Sequence, residues 1–183
     1  DAGVDLAIVA PDGRSAMIDH AAQLAAAGIP FIFDPGQGMP LFDGADLRDF
    51  ITKASWVAVN DYEAELLVER TGWSLDHIAS QVRGVIVTRG EHGCRIWSEG
   101  GQACDIPGVP AREVLDPTGC GDAFRAGLLF GLSKGWTLAD STRLGNVLGA
   151  EKIAVHGPQN HHITLQGALH RLQTIYGSAP QRA

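Results

Sequence analysis

The chain has 183 residues, of which 45% are hydrophobic and 19% charged, and its net charge is −7. This length suits one domain with a sizeable core, and the balance excludes an intrinsically disordered chain. The acidic excess argues against nucleic-acid and membrane partners, because both bind clustered Lys and Arg. No apolar run approaches the roughly 18 residues that span a bilayer, and no signal segment opens the chain.

Three cysteines, Cys94, Cys104 and Cys120, are spread along the chain without a C-x-x-C pair. An odd, scattered set predicts neither a zinc site nor a disulfide framework. We therefore expect a reduced, cytoplasmic protein. Because residue 1 is Asp and a strand-like run begins almost at once, we also expect that an N-terminal part of a larger protein is missing.

Short apolar runs alternate with segments of helical spacing over the first half of the chain. Strands are predicted at 4–10, 29–33, 56–59 and 84–88, and helices at 13–27, 44–54, 61–70 and 74–81. Strands that alternate with helices predict an α/β domain with a parallel sheet and right-handed crossovers. The strands are almost continuously apolar, which favours a doubly wound sheet with helices on both faces.

The pattern changes after Thr88. Strands at 93–98 and 103–106 are predicted to pair antiparallel around a turn at Gly100 and Gly101. Helices are predicted at 121–134, 137–155 and 164–176, and 177–183 as a frayed tail. No repeat or linker interrupts the chain, so we expect a single domain over 1–183.

The strongest chemical signal is the string D-P-T-G-C-G-D-A-F at positions 116–124, which runs into an apolar helix. Glycines at a helix start let a ligand approach the backbone, and the free amides and the helix dipole there favour an anion. Asp122 lies in the first turn, where a carboxylate can accept a proton from an attacking hydroxyl.

Other interpretations of this string are weaker. Asp122 could be only a favourable first-turn acid, and the glycines only a tight turn. A dinucleotide-binding fingerprint would need Gly or Ala where Phe124 stands. The sequence contains no G-x-x-x-x-G-K-[ST] string, which argues against a P-loop kinase.

The string resembles the second signature of the PfkB (ribokinase-like) family of carbohydrate kinases. The resemblance implies that Asp122 is the catalytic base and that the backbone of Gly119, Cys120 and Gly121 stabilises the phosphoryl group transferred from ATP. It covers about residues 5–176. The family's opening strands, its first glycine-rich signature and its substrate-closing lid have no counterpart in this sequence, so the chain resembles the C-terminal portion of such a kinase.

Two further strings agree with the family in their order. Asn60 and Glu63 match its N-x-x-E motif, which implies that they organise Mg²⁺ and phosphate, chiefly through water. A helix cap for Asn60 and a solvated helix face for Glu63 are the alternatives. Thr88, Gly90 and Gly93 match the T-x-G-x-x-G loop, which implies contacts with the nucleotide at a strand end. The alternative there is an ordinary glycine turn.

Weaker resemblances concern adenine and a monovalent cation. Asn146 lies on the helix where relatives place a residue near the adenine, although it could simply face solvent. Asp116 and Thr118 match positions that help bind a monovalent cation in potassium-dependent relatives. A turn held by an Asx hydrogen bond explains them equally well.

The resemblance leaves the acceptor open. F-D-P-G-Q-G at 33–38 and H-G-P-Q-N-H at 156–161 are similar to segments of adenosine and nucleoside kinase-like members, although Pro158 replaces the Thr common there. These strings favour transfer of the γ-phosphoryl group to a hydroxymethyl group of a nucleoside. A kinase for another sugar or sugar phosphate and a non-catalytic nucleotide-binding fragment are the alternatives. The family often dimerises through its lid, so the full-length protein could be a homodimer.

Overall fold

The computed structural model describes residues 3–98 and 102–183. Contacts divide the chain into two compact units, the first comprising 1–89 with 95–105 and the second 90–94 with 106–183. The prediction of one domain over the whole chain is not decided by this division and stays a prediction. The predicted turn at Gly100 and Gly101 lies outside the described residues.

The first unit alternates strands and helices close to the predicted positions. The strands are β1 (Ala7–Val9), β2 (Phe31–Phe33), β3 (Trp56–Asn60), β4 (Gly84–Thr88), β5 (Cys94–Ser98) and β6 (Ala103–Ile106), and all but the terminal residues Cys94 and Ile106 belong to the first unit. Its helices are α1 (Arg14–Ala26), α2 (Gly44–Lys53), α3 (Asp61–Thr71) and α4 (Leu75–Gln81). Short 3-10 helices at Gly36–Leu41 and Gly90–His92 were not predicted.

The strands form one six-stranded sheet in the order β1-β2-β3-β4-β5-β6. The first four are parallel, as predicted, and β3 and β4 pair over their full length from Trp56 opposite Gly84 to Asn60 opposite Thr88. The described strands follow chain order without a reversal. The parallel register brings the carboxyl ends of β3 and β4 to the same sheet edge, which is where ligands bind in α/β folds.

The core of the first unit explains why this edge is fixed. One residue from each of β2, β3 and β4, namely Phe33, Val57 and Val85, packs in one cluster with Leu47 and Phe50 of α2. The Phe33 and Phe50 rings stack with their centroids 4.5 Å apart. Residues of the opposite strand face, such as Ile32 and Ile86, are also fully buried. Burial of both faces is what the continuous apolar strands predicted.

The second unit contains three helices, α5 (Cys120–Ser133), α6 (Leu138–Lys152) and α7 (Leu165–Tyr176). Glycines let α5 and α6 approach closely: a Cβ at Gly127 would lie 2.7 Å from the Gly145 amide nitrogen, and one at Gly131 would lie 2.5 Å from the Ser141 hydroxyl. Any larger side chain at these positions would push the helices apart. This contact fixes α5, whose first turn carries the predicted catalytic string.

The prediction of a frayed tail is wrong in the structure. The Gln181 carbonyl accepts a hydrogen bond from the Thr137 amide (2.9 Å), and the Ala183 amide donates to the Gly135 carbonyl (2.9 Å). The Gln181 amide donates to the buried Asp140 carboxylate (2.8 Å). The tail is therefore held by backbone bonds that its polar composition does not reveal.

The helix α6 is shorter than predicted. The helix predicted over 137–155 ends at Lys152, and the following residues form turns. Within 3–98 and 102–183, none of the helices is both long and apolar enough to cross a bilayer.

Candidate active site

The start of α5 is built around Gly119. This residue is the N-cap, with a left-handed backbone (φ 82°), and no side chain caps the helix there. A Cβ at Gly119 would lie 3.0 Å from Cα and from the carbonyl oxygen of Pro158. Glycine is therefore required twice, for its positive φ and for the close approach of Pro158.

The amides of the first turn are only partly engaged. The Cys120 amide donates to the Pro117 carbonyl (3.1 Å), and the Ala123 amide donates to the Gly119 carbonyl (2.9 Å). Between them, the Gly121 and Asp122 amides find no acceptor among the residues that the structure describes. Two adjacent open amides at a helix start can donate to one bound anion. The predicted use of the Gly119–Gly121 backbone, including the Cys120 amide, stays a prediction.

The Asp122 carboxylate lies beside these amides. Its side chain is 80% exposed, and its Oδ1 is 3.8 Å from Nη1 of Arg125, which is beyond hydrogen-bond distance. The carboxylate is therefore accessible to a ligand and is not held in a tight ion pair.

Arg125 was not identified from the sequence. A Cβ at Gly121 would lie 2.7 Å from its Nη1, so the guanidinium lies over the backbone of the first turn. Long helical side chains point back towards the N-terminus, so the i to i+4 spacing from Gly121 could have revealed this residue. Its charge adds to the positive potential of the helix start.

Asp116 joins two loops of the second unit. Its carboxylate accepts hydrogen bonds from the amides of Thr118 (2.9 Å) and Gly157 (2.8 Å). Bonds from the Thr118 amide and hydroxyl, with that from Gly157, hold the pKa of Asp116 well below its ordinary value. The Asx turn considered as an alternative is therefore present. The role of Asp116 and Thr118 in binding a monovalent cation stays a prediction.

Lys152, at the end of α6, is a second residue that the sequence analysis missed. Its side chain is fully buried, and its ammonium donates to the carbonyls of Asp116 (2.7 Å) and Val155 (3.2 Å). Lys152 follows Leu144 and Leu148 at a spacing of four, so a lysine on a helix face with apolar residues was the available signal.

The N-x-x-E motif forms a capping box at the start of α3. Asn60 Oδ1 accepts from the Glu63 amide (2.8 Å), and Glu63 Oε2 accepts from the Asn60 amide (2.9 Å). The helix-cap alternative for Asn60 is thus present in the structure. The Mg²⁺ role of both residues stays a prediction. The second carboxylate oxygen of Glu63 takes no part in the capping box and is available for that role. Across residues 3–98 and 102–183, no three His, Cys, Asp or Glu side chains converge on a metal position.

Thr88 and Asn60 lie opposite each other at the carboxyl ends of β4 and β3. The parallel register therefore brings together the starts of the two strings predicted to contact nucleotide and metal. The local backbone geometry also explains the two glycines that follow Thr88. Gly90 and Gly93 have positive φ (56° and 82°), and a Cβ at Gly93 would lie 2.1 Å from the Ile106 carbonyl oxygen. Nucleotide contacts by Thr88, Gly90 and Gly93 stay predictions.

Asn146 does not face solvent. Its Nδ2 donates to the Pro107 carbonyl and contacts the Tyr176 hydroxyl, both at 3.2 Å, and its Oδ1 lies 3.1 Å from Cys94 Sγ. Tyr176 also donates to the Pro107 carbonyl (2.7 Å). Asn146 is thus the centre of a polar network within the second unit. The contact with adenine stays a prediction.

The two strings that suggested a nucleoside acceptor occupy different settings. Residues 156–158 lie against the start of α5, through Pro158 at Gly119 and the Gly157 amide at Asp116. In the first unit, Asp34 follows β2 and is buried, and Gly36 takes a positive φ (44°) against Pro11.

An α/β fold with an open, glycine-capped helix start beside a carboxylate is typical of phosphate-binding enzymes. The sequence profile described as pfkB family carbohydrate kinase matches residues 2–164, and the chain belongs to this family. The family prediction and the α/β prediction are therefore confirmed.

Similar proteins include several kinases. A nucleoside kinase from Burkholderia thailandensis, solved in complex with inosine, shares 51% identity and a TM-score of 0.95 over 99% of this chain and 59% of that one. The same protein was also solved in complex with ADP-inosine. A nucleoside kinase from Methanocaldococcus jannaschii is 30% identical over 141 residues, which cover 77% of this chain and 46% of that relative. An inositol 3-kinase from Zea mays is 45% identical over 78 residues, covering 43% of this chain and 20% of that relative. The chain spans about half the length of the nucleoside kinases that it matches.

Proposed function

We propose that the protein transfers the γ-phosphoryl group of ATP to a hydroxymethyl group of a nucleoside, with Asp122 as the base. The observation that carries this proposal is the start of α5, where the open amides of Gly121 and Asp122 adjoin the exposed Asp122 carboxylate. An anion site next to an accessible carboxylate is the arrangement that phosphoryl transfer to an alcohol needs.

In the proposed reaction, the Asp122 carboxylate accepts the hydroxyl proton as the hydroxyl oxygen attacks the γ-phosphorus. The bond from the phosphorus to the β,γ-bridging oxygen breaks, and ADP leaves. The amides of Gly121 and Asp122 donate to oxygens of the phosphoryl group in transfer, and Arg125 adds positive charge above Gly121. These groups are fixed before the reaction, so they stabilise the developing charge without reorganisation.

The family resemblance implies Mg²⁺, and the residues fit a metal held mainly by water and phosphate oxygens. Glu63 uses one carboxylate oxygen in the capping box, so the other can orient a metal-bound water. When bound, Mg²⁺ neutralises the phosphate charge. The contribution of the chain is to hold the Glu63 carboxylate in one orientation through the Asn60 amide.

A nucleoside is favoured as the acceptor because similar proteins that align with most of this chain include nucleoside kinases. The strings at 33–38 and 156–161 point to the same acceptor class. The local similarity to an inositol 3-kinase supports a sugar or polyol acceptor as the second candidate. A panel of nucleosides, sugars and sugar phosphates, each with ATP, separates the two, and preference for a non-nucleoside would exclude the first.

The third candidate is a nucleotide-binding protein without turnover. ATP affinity without phosphorylation of any acceptor would support it. The cytoplasmic location and the homodimer of the full-length protein also remain proposals.

Replacing Asp122 tests the assigned base in the full-length protein. Asp122→Asn should lower turnover by about three orders of magnitude, because general base catalysis is lost, while ATP affinity changes little. Asp19→Asn is the control, since Asp19 is an exposed acid of α1 outside the proposed site. An Asp122→Asn protein with turnover within a few-fold of the control would rule out the assigned role.

A further inference from the structure

The loops that hold the start of α5 meet at a buried positive charge. The amides of Leu115 and Asp116 donate to the Ile153 carbonyl (2.9 and 3.2 Å), so residues 115–116 run beside the turn that follows α6. The Gly157 amide donates to Asp116 Oδ2 at the other end of that turn. Between these bonds lies the ammonium of Lys152.

The surroundings of this ammonium consist of oxygens from both loops. Nζ donates to the main-chain carbonyls of Asp116 (2.7 Å) and Val155 (3.2 Å), and it lies 4.0 Å from Asp116 Oδ2. The Lys152 side chain has no exposed surface. Removing an ammonium from water is unfavourable unless oxygens replace its hydration. Such a residue is retained at a cost, which suggests a specific task.

Main-chain carbonyls and one carboxylate around a single positive charge form the kind of environment that a hard monovalent cation would also select. The Asp116 carbonyl, however, is already bonded to Lys152. A second cation at the same oxygens would be repelled by the ammonium at short range. The residues present therefore do not fit an additional monovalent cation at the Asp116 carbonyl.

We propose that Lys152 is a positioning residue whose buried ammonium serves as a built-in monovalent cation. It joins the Asp116 and Val155 carbonyls and so fixes the turn that leads into Gly119 and the open amides of α5. Through residues 155–158 it also fixes Pro158 against Gly119. The proposal rests on the proposed function, and it implies that phosphoryl transfer by this protein needs no potassium.

The first test uses the native full-length protein. KCl is exchanged for tetramethylammonium chloride at constant ionic strength, while turnover and the thermal midpoint are measured. The proposal expects both to change little. Saturable activation by K⁺ of about ten-fold or more, or a saturable K⁺-dependent rise in the thermal midpoint, would overturn it. If no acceptor is phosphorylated in any salt, the proposed function fails, but the thermal midpoint still reports on the cation.

The second test removes the charge. Lys152→Ala should lower turnover by about ten-fold or more and should acquire a saturable stimulation of turnover and of the thermal midpoint by K⁺ or NH₄⁺, which tetramethylammonium does not give. Lys134→Ala is the control, since Lys134 is exposed at the end of α5.

Two outcomes of the second test contradict the proposal. A Lys152→Ala protein as active and stable as Lys134→Ala would show that the ammonium is dispensable. A variant that folds but that neither small cation stimulates would show that Lys152 acts through packing alone. If Lys152→Ala does not fold, the salt exchange on the native protein decides.

Discussion

The first-turn amides of α3 and α5 are treated in opposite ways. The start of α3 is closed by its own side chains, because Asn60 and Glu63 exchange hydrogen bonds with each other's amides. The start of α5 is left open, because Gly119 has no side chain and the Gly121 and Asp122 amides find no acceptor in the described part of the chain.

This difference distinguishes a helix start that stabilises its own helix from one that is open to bind an anion. A capped start stabilises its helix without help, whereas an open start must be completed by water or by an anion. The open start is supported from outside the helix by the bonds of Asp116, Lys152 and Gly157. A site that binds phosphate by its amides therefore needs rigid neighbours, since no local side chain fixes the first turn.

After the loss of the Asp122 carboxylate itself, the largest expected effect comes from adding a Cβ at the open start. Gly119→Ala places a side chain at a positive φ and 3.0 Å from Pro158, so the first turn must shift. We expect turnover to fall by about 100-fold, as when donors to a developing oxyanion are lost. Steady-state kinetics on the full-length protein measures this.

Gly72→Ala is the control for that change. Gly72 ends α3 with a similar left-handed backbone (φ 69°), but among residues 3–98 and 102–183 no heavy atom other than those of its chain neighbours lies within 4 Å of its added Cβ. It should therefore lose stability through backbone strain and keep its turnover. Equal kinetic effects of the two substitutions would show that strain alone explains Gly119→Ala.

A smaller effect is expected from Glu63→Gln, which distinguishes the capping role of Glu63 from its proposed role in orienting a metal-bound water. Glu63→Gln keeps an oxygen that can accept from the Asn60 amide, so the capping box and the thermal midpoint should persist. The charge that orients the metal-bound water is lost. The Mg²⁺ concentration for half-maximal turnover should therefore rise several-fold. An unchanged Mg²⁺ dependence would leave Glu63 with a capping role only.

Breaking the closed start itself should mainly affect stability. Asn60→Ala removes the cap acceptor and should lower the free energy of unfolding by about 1 kcal/mol. Ser74→Ala is the comparison, because Ser74 caps α4 by accepting from the His77 amide (3.2 Å). Denaturant unfolding should give similar losses for both. A clearly smaller loss for Asn60→Ala would contradict the capping role.

The smallest expected effect concerns acid stability near the open start. The pKa of Asp116 is lowered in the folded protein by the bonds from Thr118 and Gly157. Its contribution to stability is therefore complete above the ordinary value near 3.8 and is lost as the pH falls below it. Asp116→Asn should flatten the pH dependence of the unfolding free energy in that range. An unchanged slope below the ordinary value of 3.8 would contradict this assignment.

Sequence alone predicts what local pattern encodes. The alternation of apolar runs and helical spacing located, within a few residues, the six strands and seven α-helices that the structure describes. The glycines before Asp122 identified the open start. The side-chain cap of α3 was also foreseeable, because Asn60 and Glu63 have the spacing of a capping box.

Contacts between residues distant in sequence could not be predicted in this way. Lys152 bonds to Asp116 across 36 positions, and Gln181 bonds to Asp140 across 41. Asn146 joins groups from Cys94 to Tyr176. Asp140, Asn146 and Lys152 all lie on α6, and their partners are decided by the packing of this helix against segments distant in sequence.

In the proposed function, the open amides of α5 bind a phosphoryl group. Amide NMR spectra of the full-length protein during titration with inorganic phosphate test it directly. We predict saturable shifts of the Gly121 and Asp122 amide resonances, with little change at the Glu63 amide, which is already bonded to Asn60. Unmoved Gly121 and Asp122 resonances, or an equal shift at Glu63, would contradict it.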